Sequence, residues 1–124
     1  MRVFIEDSFD AAHWLPNVPE GHKCRNMHGH TYKIRIEVSG EVGSESGWVK
    51  DYAEIRARWL SVKKLLDHKC LNQVTAALEN PTCEQIAEYI GACLNSGTKS
   101  LGVTRIELRE TEHSGVVWSA REGR

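Results

Sequence analysis

The segment from Thr31 to Val38 constrains the fold of this 124-residue chain more than any other part of the sequence. Apolar tyrosine, isoleucine and valine residues occupy its even positions, and threonine, lysine, arginine and glutamate occupy its odd positions. This period of two predicts a β-strand with one face in an apolar core and the other in water. His28-Gly29-His30 comes directly before it, so two histidines are expected where a loop enters the strand.

The remaining period-two patterns predict three more strands. The chain begins with apolar residues on one parity, which indicates a first strand over residues 1–12. The same period recurs near the end of the chain, over residues 103–111 and 115–120. Strands that follow one another closely favour antiparallel pairing, so we expect a four-stranded antiparallel sheet.

Two amphipathic helices are predicted between the second and third strands. Asp51 and Glu54 have the spacing of a capping box, and apolar residues then recur at helical intervals until Asp67. A second helix is expected to begin with Thr82 as its N-cap and to end before Gly97. This order predicts an α+β fold in one domain over the whole chain, with both helices on one sheet face. The other face and the two sheet edges have no predicted cover.

Composition and charge exclude several classes of protein. With 40% hydrophobic and 27% charged residues, the chain differs from an intrinsically disordered one. Its 16 basic and 17 acidic residues argue against a nucleic-acid binder, which needs a basic surplus to neutralise phosphates. No more than three apolar residues occur in succession, so neither a membrane-spanning helix nor a secretory signal is expected. We therefore expect a cytoplasmic protein without nucleic-acid or membrane partners.

The four cysteines are expected to be free thiols, because the sequence has no C-x-x-C pair and no secretory signal. Cys70, Cys83 and Cys93 are expected to behave as small buried apolar residues. Cys24 differs because basic residues flank it within a long loop, and nearby positive charge favours the thiolate form. It is a candidate base or nucleophile; the alternative is an incidental loop cysteine.

Three histidines are candidate metal ligands. His28 and His30 stand at positions i and i+2, so both imidazoles point to the same side of a strand. Gly29 between them is expected to let the backbone lie close to a bound group. His13 ends the first strand on its apolar parity and would face the other two across a hairpin. Three imidazoles with an open fourth position are typical of catalytic zinc, but they could also be separate surface or core histidines.

Two further positions are candidates for acid–base chemistry and ligand binding. Asp67 could orient His68, which could take a proton from a thiol, although nothing in the sequence places the pair beside Cys24. The alternative is a histidine at a helix C-terminus, stabilised by the helix dipole. Glu110 extends the apolar face of the third predicted strand and could bind the N–H donors of a flat heterocycle. Alternatively, the strand has ended by Glu110 and its side chain is solvated.

Together these residues resemble a known family, the 6-pyruvoyltetrahydropterin synthases. The resemblance runs from Phe4 to Trp118, with the motifs in the same order. Three residues separate Cys24 from His28, a spacing that resembles the family's queuosine-pathway branch rather than its eukaryotic 6-pyruvoyl enzymes. The matching motifs are Cys24-x-x-x-His28-Gly29-His30, the upstream His13, Asp67-His68, Asn80-Pro81-Thr82 with Glu84, and Glu110-Thr111.

The resemblance implies a tunnelling fold, in which the sheets of several copies close into a barrel. That arrangement would cover the sheet edges left open above. It implies a homo-oligomer, a hexamer or a tetramer, with active sites at subunit interfaces and one zinc ion per subunit. The implied site residues are, for zinc, His13, His28 and His30; for proton transfer, Cys24 with Asp67 and His68; and for pterin binding, Glu110 with Thr82 nearby.

The implied reaction converts 7,8-dihydroneopterin triphosphate to 6-carboxy-5,6,7,8-tetrahydropterin with loss of acetaldehyde and triphosphate. Zinc on the substrate hydroxyls would act as a Lewis acid, and the cationic side chains of His22, Lys23 and Arg25 are candidates for binding triphosphate. A close alternative is a 6-pyruvoyl synthase or a dihydroneopterin aldolase-like activity on the same fold. Two other classes are a non-catalytic zinc- or pterin-binding module and a protein or RNA partner of tRNA modification, which the balanced charge disfavours.

Overall fold

The computed structural model describes residues 1–120, which form one mixed sheet and two helices. Short 3₁₀ turns lie in the connections between these elements. None of the helices in this part of the chain combines the length and the apolar character needed to span a bilayer. The elements are β1 (Arg2–His13), β2 (His28–Ser39), α1 (Tyr52–Leu66), β3 (Lys69–Cys70), α2 (Cys83–Leu94), β4 (Val103–Arg109) and β5 (Gly115–Ser119).

The sheet has five strands in the order β3-β1-β2-β4-β5, rather than the four strands expected. The additional strand, β3, runs parallel to β1 and pairs with Ala11 and Ala12, whereas the other neighbours are antiparallel. A strand of two residues is too short to show a periodic pattern, so the sequence carries no signal for it. Both helices lie between β2 and β4, as predicted.

The hairpin of β1 and β2 determines which side chains enter the core. Its register pairs Phe9 with Tyr32 and His13 with His28. Paired residues of antiparallel strands point to the same face, so the histidines continue the face that carries the aromatic residues. The rings of Phe9 and Tyr32 stack at 5.0 Å. The helices cover this face and complete the apolar core.

Side-chain caps begin both helices at the predicted residues. The Asp51 side chain accepts the main-chain N–H of Ala53 and so caps α1, whereas the N–H of Glu54 donates to the Asp51 carbonyl and not to its side chain. Thr82 accepts the main-chain N–H of Gln85 at 3.1 Å and caps α2. The capping positions were therefore predictable, because Asp and Thr are favoured there whichever N–H they accept.

All four cysteines are free thiols, but their burial is more varied than predicted. Cys83 is buried, whereas Cys70 and Cys93 are only partly buried. Cys70 lies in the sheet-edge strand β3, and the apolar stripe of α2 is centred on other residues. The prediction of full burial is therefore wrong for two of the three.

The sheet face opposite the helices was expected to be solvent-exposed, but it contains the buried carboxylate of Glu37. Glu37 is only 4% exposed. Its carboxylate oxygens lie 3.2 Å from Arg2, 3.0 Å from Arg35 and 2.5 Å from Arg105. Burial raises the pKa of Glu37, but the hydrogen bonds from Arg105 and Arg35 outweigh burial and hold this pKa below its ordinary value. Three guanidinium groups thus compensate the buried carboxylate.

Candidate active site

The β1–β2 hairpin brings the three predicted histidines together at one end of the core face. His13 pairs with His28, and His30 pairs with Ala11 on the same strands. The ring centroids are 4.6 Å apart for His13 and His28, 5.2 Å for His13 and His30, and 4.9 Å for His28 and His30. One ring nitrogen from each lies within 4.8 Å of the others. The predicted convergence of the three imidazoles is confirmed.

Main-chain carbonyl groups determine the tautomers of two of these histidines. Nδ1 of His13 is 2.7 Å from the carbonyl oxygen of Pro81, and Nδ1 of His28 is 2.7 Å from that of Asn26. A carbonyl oxygen can only accept a hydrogen bond, so both Nδ1 atoms carry the proton. Both Nε2 atoms therefore present lone pairs. Metal-binding histidines usually donate their other ring N–H to such a partner.

The positions of the Nε2 atoms fit a metal ion. Those of His13 and His28 are 3.1 Å apart, and two lone pairs at this distance repel unless a cation or a proton lies between them. Tetrahedral zinc with Zn–N bonds of 2.0–2.1 Å holds its ligand nitrogens about 3.3 Å apart. Among residues 1–120, the buried Nε2 of His30 has no hydrogen-bond partner. This donor set fits a metal ion with three imidazole ligands.

Burial keeps two of the imidazoles in the form that binds metals. It lowers the pKa of His13, and the hydrogen bond to Pro81 opposes this effect only in part. Burial also lowers the pKa of His30, against the opposing charge of Glu110. A lowered pKa leaves these rings unprotonated at neutral pH. Since a metal binds neutral imidazole, these two rings do not have to lose protons first.

Glu110 lies beside the histidine cluster in the same chain. Its Oε1 is 3.5 Å from Nε2 of His30, and its side chain is 28% exposed. β4 ends at Arg109, so Glu110 follows the strand rather than belonging to it as predicted. Burial, reinforced by the Glu110 charge, raises the pKa of Tyr32 and raises that of Cys83 to about 12. This carboxylate, next to largely buried residues, can accept N–H donors from a planar ligand.

Cys24 lies in the loop between β1 and β2, the same loop that supplies the carbonyl partner of His28. It is part of the 3₁₀ turn Lys23–Arg25, and its thiol is partly exposed. The N–H of Leu15 donates to the Cys24 carbonyl at 2.8 Å, and the Cys24 N–H donates to Nδ1 of His22 at 3.1 Å. The same loop therefore carries both Cys24 and the Asn26 carbonyl that orients His28.

Asp67 and His68 lie at the outer edge of β1. Oδ2 of Asp67 is 3.1 Å from Nδ1 of His68, so the predicted pair is observed. His68 is 77% exposed, and its φ of 60° is in the left-handed region that non-glycine residues seldom adopt. Within residues 1–120, neither residue forms a hydrogen bond with Cys24. A single copy of the chain therefore does not join the three residues by hydrogen bonds.

Thr82 and Gly29 are two further positions near the histidine cluster for which the sequence predicts a role in binding. Thr82, expected near the substrate, caps α2 and directly follows Pro81, whose carbonyl orients His13. The alternation of β2 directs Gly29 to the sheet face opposite the histidines, and the approach of its backbone to a bound group stays a prediction. A Cβ at Gly29 would meet only the carbonyl oxygen of Ala11, at an ordinary 3.7 Å.

Four groups in and around these clusters were not predicted from the sequence. Two are the carbonyls of Asn26 and Pro81, for which the sequence has no signal because every residue has a carbonyl. Another is Tyr32, whose ring centroid is 5.6 Å from that of His30. Its parity with His30 was the available signal. The fourth is Asp10, which lies within 4.8 Å of Asp67 and His68 through a carboxylate oxygen.

Comparison with known proteins gives consistent matches over nearly the whole chain. A family model described as 6-pyruvoyl tetrahydropterin synthase matches residues 2–121. A Synechocystis sp. protein named 6-carboxy-5,6,7,8-tetrahydropterin synthase is 40% identical over 114 residues, which cover 88% of this chain and 85% of that protein. A Pyrococcus furiosus protein named dihydroneopterin monophosphate aldolase is 31% identical over 116 residues, covering 93% of this chain and 94% of that protein.

Solved structures share the fold. The Caenorhabditis elegans 6-pyruvoyl tetrahydropterin synthase superposes with a TM-score of 0.87 at 25% identity, over 98% of this chain and 96% of that one. The Plasmodium vivax 6-pyruvoyl tetrahydropterin synthase superposes with a TM-score of 0.75 at 19% identity, over 98% of both chains. These likenesses confirm the predicted α+β fold of a single tunnelling-fold subunit. The closure of several copies into a barrel stays a prediction.

Proposed function

Because this chain belongs to the 6-pyruvoyl tetrahydropterin synthase family, we propose that it is a zinc-dependent carbon–carbon lyase acting on a pterin. The proposed substrates are 7,8-dihydroneopterin triphosphate and one water molecule, and the proposed products are 6-carboxy-5,6,7,8-tetrahydropterin, acetaldehyde and triphosphate, in queuosine biosynthesis. Identity is 40% to the relative named for this product and 31% to the relative named as an aldolase, which favours the former activity. The observation that carries the proposal is the cluster of three imidazoles, in which Nε2 of His13 and Nε2 of His28 lie 3.1 Å apart and the buried Nε2 of His30 has no hydrogen-bond partner among residues 1–120.

His13, His28 and His30 would hold the zinc ion through their Nε2 atoms. Three protein ligands are the usual number in catalytic zinc sites. Bound zinc would polarise the hydroxyl groups of the substrate side chain and ease the removal of neighbouring protons. The carbonyls of Pro81 and Asn26 hold two of the rings in the tautomer that this role needs.

Glu110 would bind the amino-pyrimidine edge of the pterin. Its carboxylate lies next to the histidine cluster and can accept two parallel N–H bonds from such an edge. Tyr32 and Thr82 lie on the strand and the helix cap that flank the cluster. The exposed side chains of Lys23 and Arg25, on the loop that contains Cys24, would bind the triphosphate.

Cys24 would transfer protons at the substrate carbon, and His68 would exchange protons with it. Asp67 holds Nδ1 of His68, which leaves Nε2 of the exposed ring directed away from the carboxylate. Because one chain does not join Cys24 to this pair, we propose that the Asp67–His68 pair of one copy serves Cys24 of another. The protein would then be a homo-oligomer of four or six copies with active sites at its interfaces.

Product analysis tests the proposed reaction. Zinc-loaded protein is incubated with 7,8-dihydroneopterin triphosphate, the pterin product is identified by mass spectrometry, and acetaldehyde is assayed separately. We expect 6-carboxytetrahydropterin and acetaldehyde in equal amounts. A pyruvoyl pterin, or an aldolase-type product without acetaldehyde, would refute the reaction in favour of another activity of the family.

A Cys24→Ala variant separates catalysis from binding in the same assay. We expect this variant to keep zinc and ligand binding and to lose turnover, because the thiol is proposed to transfer protons and not to bind the metal. If the unaltered protein binds zinc and pterin without turnover, the molecule is a binding module and not a lyase.

A further inference from the structure

We propose that Asp10 is a positioning residue for the Asp67–His68 pair, an inference that rests on the proton-transfer role proposed above for that pair. No motif in the sequence points to Asp10, which lies on an exposed position of β1. It contacts both members of the pair through its main chain, and its carboxylate is held next to them. It does not reach the histidine cluster, because alternation of the strand directs it to the other sheet face.

The main chain of Asp10 holds Asp67 and His68 on the side of β1 that faces away from β2, directly before the chain enters β3. Its N–H donates to Oδ1 of Asp67 at 2.9 Å, and its carbonyl accepts the N–H of His68 at 2.6 Å. Oδ2 of Asp67 remains for Nδ1 of His68, at 3.1 Å. Each oxygen of the Asp67 carboxylate thus has its own partner. The same contacts hold His68 in its left-handed conformation.

The carboxylate of Asp10 is itself oriented by β2. Asp10 is opposite Thr31 in the hairpin, and its N–H and C=O point away from β2, so the two residues form a non-hydrogen-bonded pair with close side chains. The Thr31 hydroxyl donates to Oδ1 of Asp10 at 2.5 Å. This bond fixes a rotamer that would otherwise be free at an exposed position.

The His68 imidazole therefore has two carboxylates beside it. One oxygen of Asp10, one oxygen of Asp67 and a ring nitrogen of His68 all lie within 4.8 Å of one another. The nearby ammonium group of Lys63 is 3.1 Å from Asp7, which provides it with a separate carboxylate. When His68 takes a proton during turnover, both Asp10 and Asp67 stabilise the resulting charge. Asp10 thus acts through His68 and does not touch the substrate.

Two pairs of variants distinguish the carboxylate from the main chain. Asp10→Asn keeps the main-chain contacts and the acceptor for Thr31 but removes the charge. Glu6→Gln, on the same face of β1, is the matched control for loss of a carboxylate there. Thr31→Val removes the hydroxyl that orients Asp10, and Thr31→Ser retains it.

The experiment measures kcat and KM, zinc content and the ¹⁵N shifts of the His68 ring for each variant. We expect Asp10→Asn to lower kcat about tenfold with KM, zinc content and melting temperature near those of the unaltered protein. The His68 ring shifts should change in Asp10→Asn and not in Glu6→Gln. Thr31→Val should lower kcat in the same direction, and Thr31→Ser should restore it.

Unchanged kcat and unchanged His68 shifts in Asp10→Asn would overturn the inference. A parallel fall of kcat, melting temperature and zinc content would also overturn it, because Asp10 would then be merely structural. Failure of the proposed function is a different result, in which the unaltered protein itself has no turnover. The His68 shifts still test the role of Asp10 in that case.

Discussion

The histidine cluster and the Asp67–His68 pair differ in how completely one chain encloses them. His13, His28 and His30 point inward from two paired strands, and His13 is 1% exposed. His68 stands at the outer edge of β1 with 77% of its side chain exposed. An enclosed group keeps its geometry through the packing of its own chain, whereas an exposed group remains accessible to a partner. In the proposed active site, one copy would therefore supply the histidine cluster, and a neighbouring copy would supply the Asp67–His68 pair.

Both regions use main-chain groups to orient side chains, but His13 is held neutral whereas Asp67 is held charged. The carbonyl of Pro81 binds Nδ1 of His13, but burial dominates and lowers the pKa of His13, which favours the neutral ring. The amide of Asp10 donates to Asp67 and lowers the pKa of Asp67, which favours the charged carboxylate. A neutral imidazole suits metal binding, and a charged carboxylate suits the orientation of a proton-transferring histidine.

The largest effect is expected from His28→Ala in the enclosed region. This substitution removes one of the three convergent Nε2 atoms, so zinc content should fall to near zero and turnover to background. Metal analysis of the purified variant measures the effect. His113→Ala, at an exposed histidine outside the cluster, should keep its zinc. Full zinc retention in His28→Ala would contradict the ligand assignment.

His68→Ala should lower kcat by about 10²–10⁴-fold, the usual contribution of a general acid or base. Its zinc content should equal that of the unaltered protein, because His68 is not part of the histidine cluster. Parallel kinetics and metal analysis therefore tell the two regions apart. Loss of zinc in His68→Ala would show that the regions are not independent.

Mixing two inactive variants tests whether the regions meet between copies. Cys24→Ala and His68→Ala are unfolded together in equal amounts, refolded and assayed. If the two residues act across an interface, about a quarter of the sites contain both native residues, so about a quarter of the activity should return. Refolding either variant alone is the control. No recovery in a mixture that has reassembled would place both residues of a site in one copy.

The smallest effect is expected from Asp67→Asn on stability. Because the pKa of Asp67 in the folded chain lies below its ordinary 3.8, the charged carboxylate stabilises the fold above that pH. The stabilisation is lost as pH falls below 3.8 towards the pKa of the folded state. Asp67→Asn should therefore lower the free energy of unfolding by about 1 kcal/mol at pH 7, as expected for one hydrogen bond at a partly exposed site. Melting curves of metal-free protein at several pH values should show the difference shrinking in acid; a constant difference would exclude a contribution from the Asp67 charge.

Much of the fold and part of the candidate site could be predicted from residue patterns. The period of two predicted the strands β1 and β2, and with a hairpin between them parity predicted that His13 faces His28 and His30. Asp51 and Thr82 marked the helix starts because their side chains are preferred caps. Patterns failed for β3 because two residues have no period. They also failed at Glu37, whose odd position predicts a solvent-exposed side chain. Glu37 is instead buried and paired with three arginines.

The sequence by itself determined which residues could do chemistry and which of them share a strand face, because side-chain type and parity are local properties. Only the tertiary structure decided that the carbonyls of Asn26 and Pro81 orient two histidines and that the amide of Asp10 holds Asp67. These partners are main-chain groups that nearly every residue carries, so residue identity does not reveal them. Their positions depend on loop paths and strand edges, which form only when distant segments pack together.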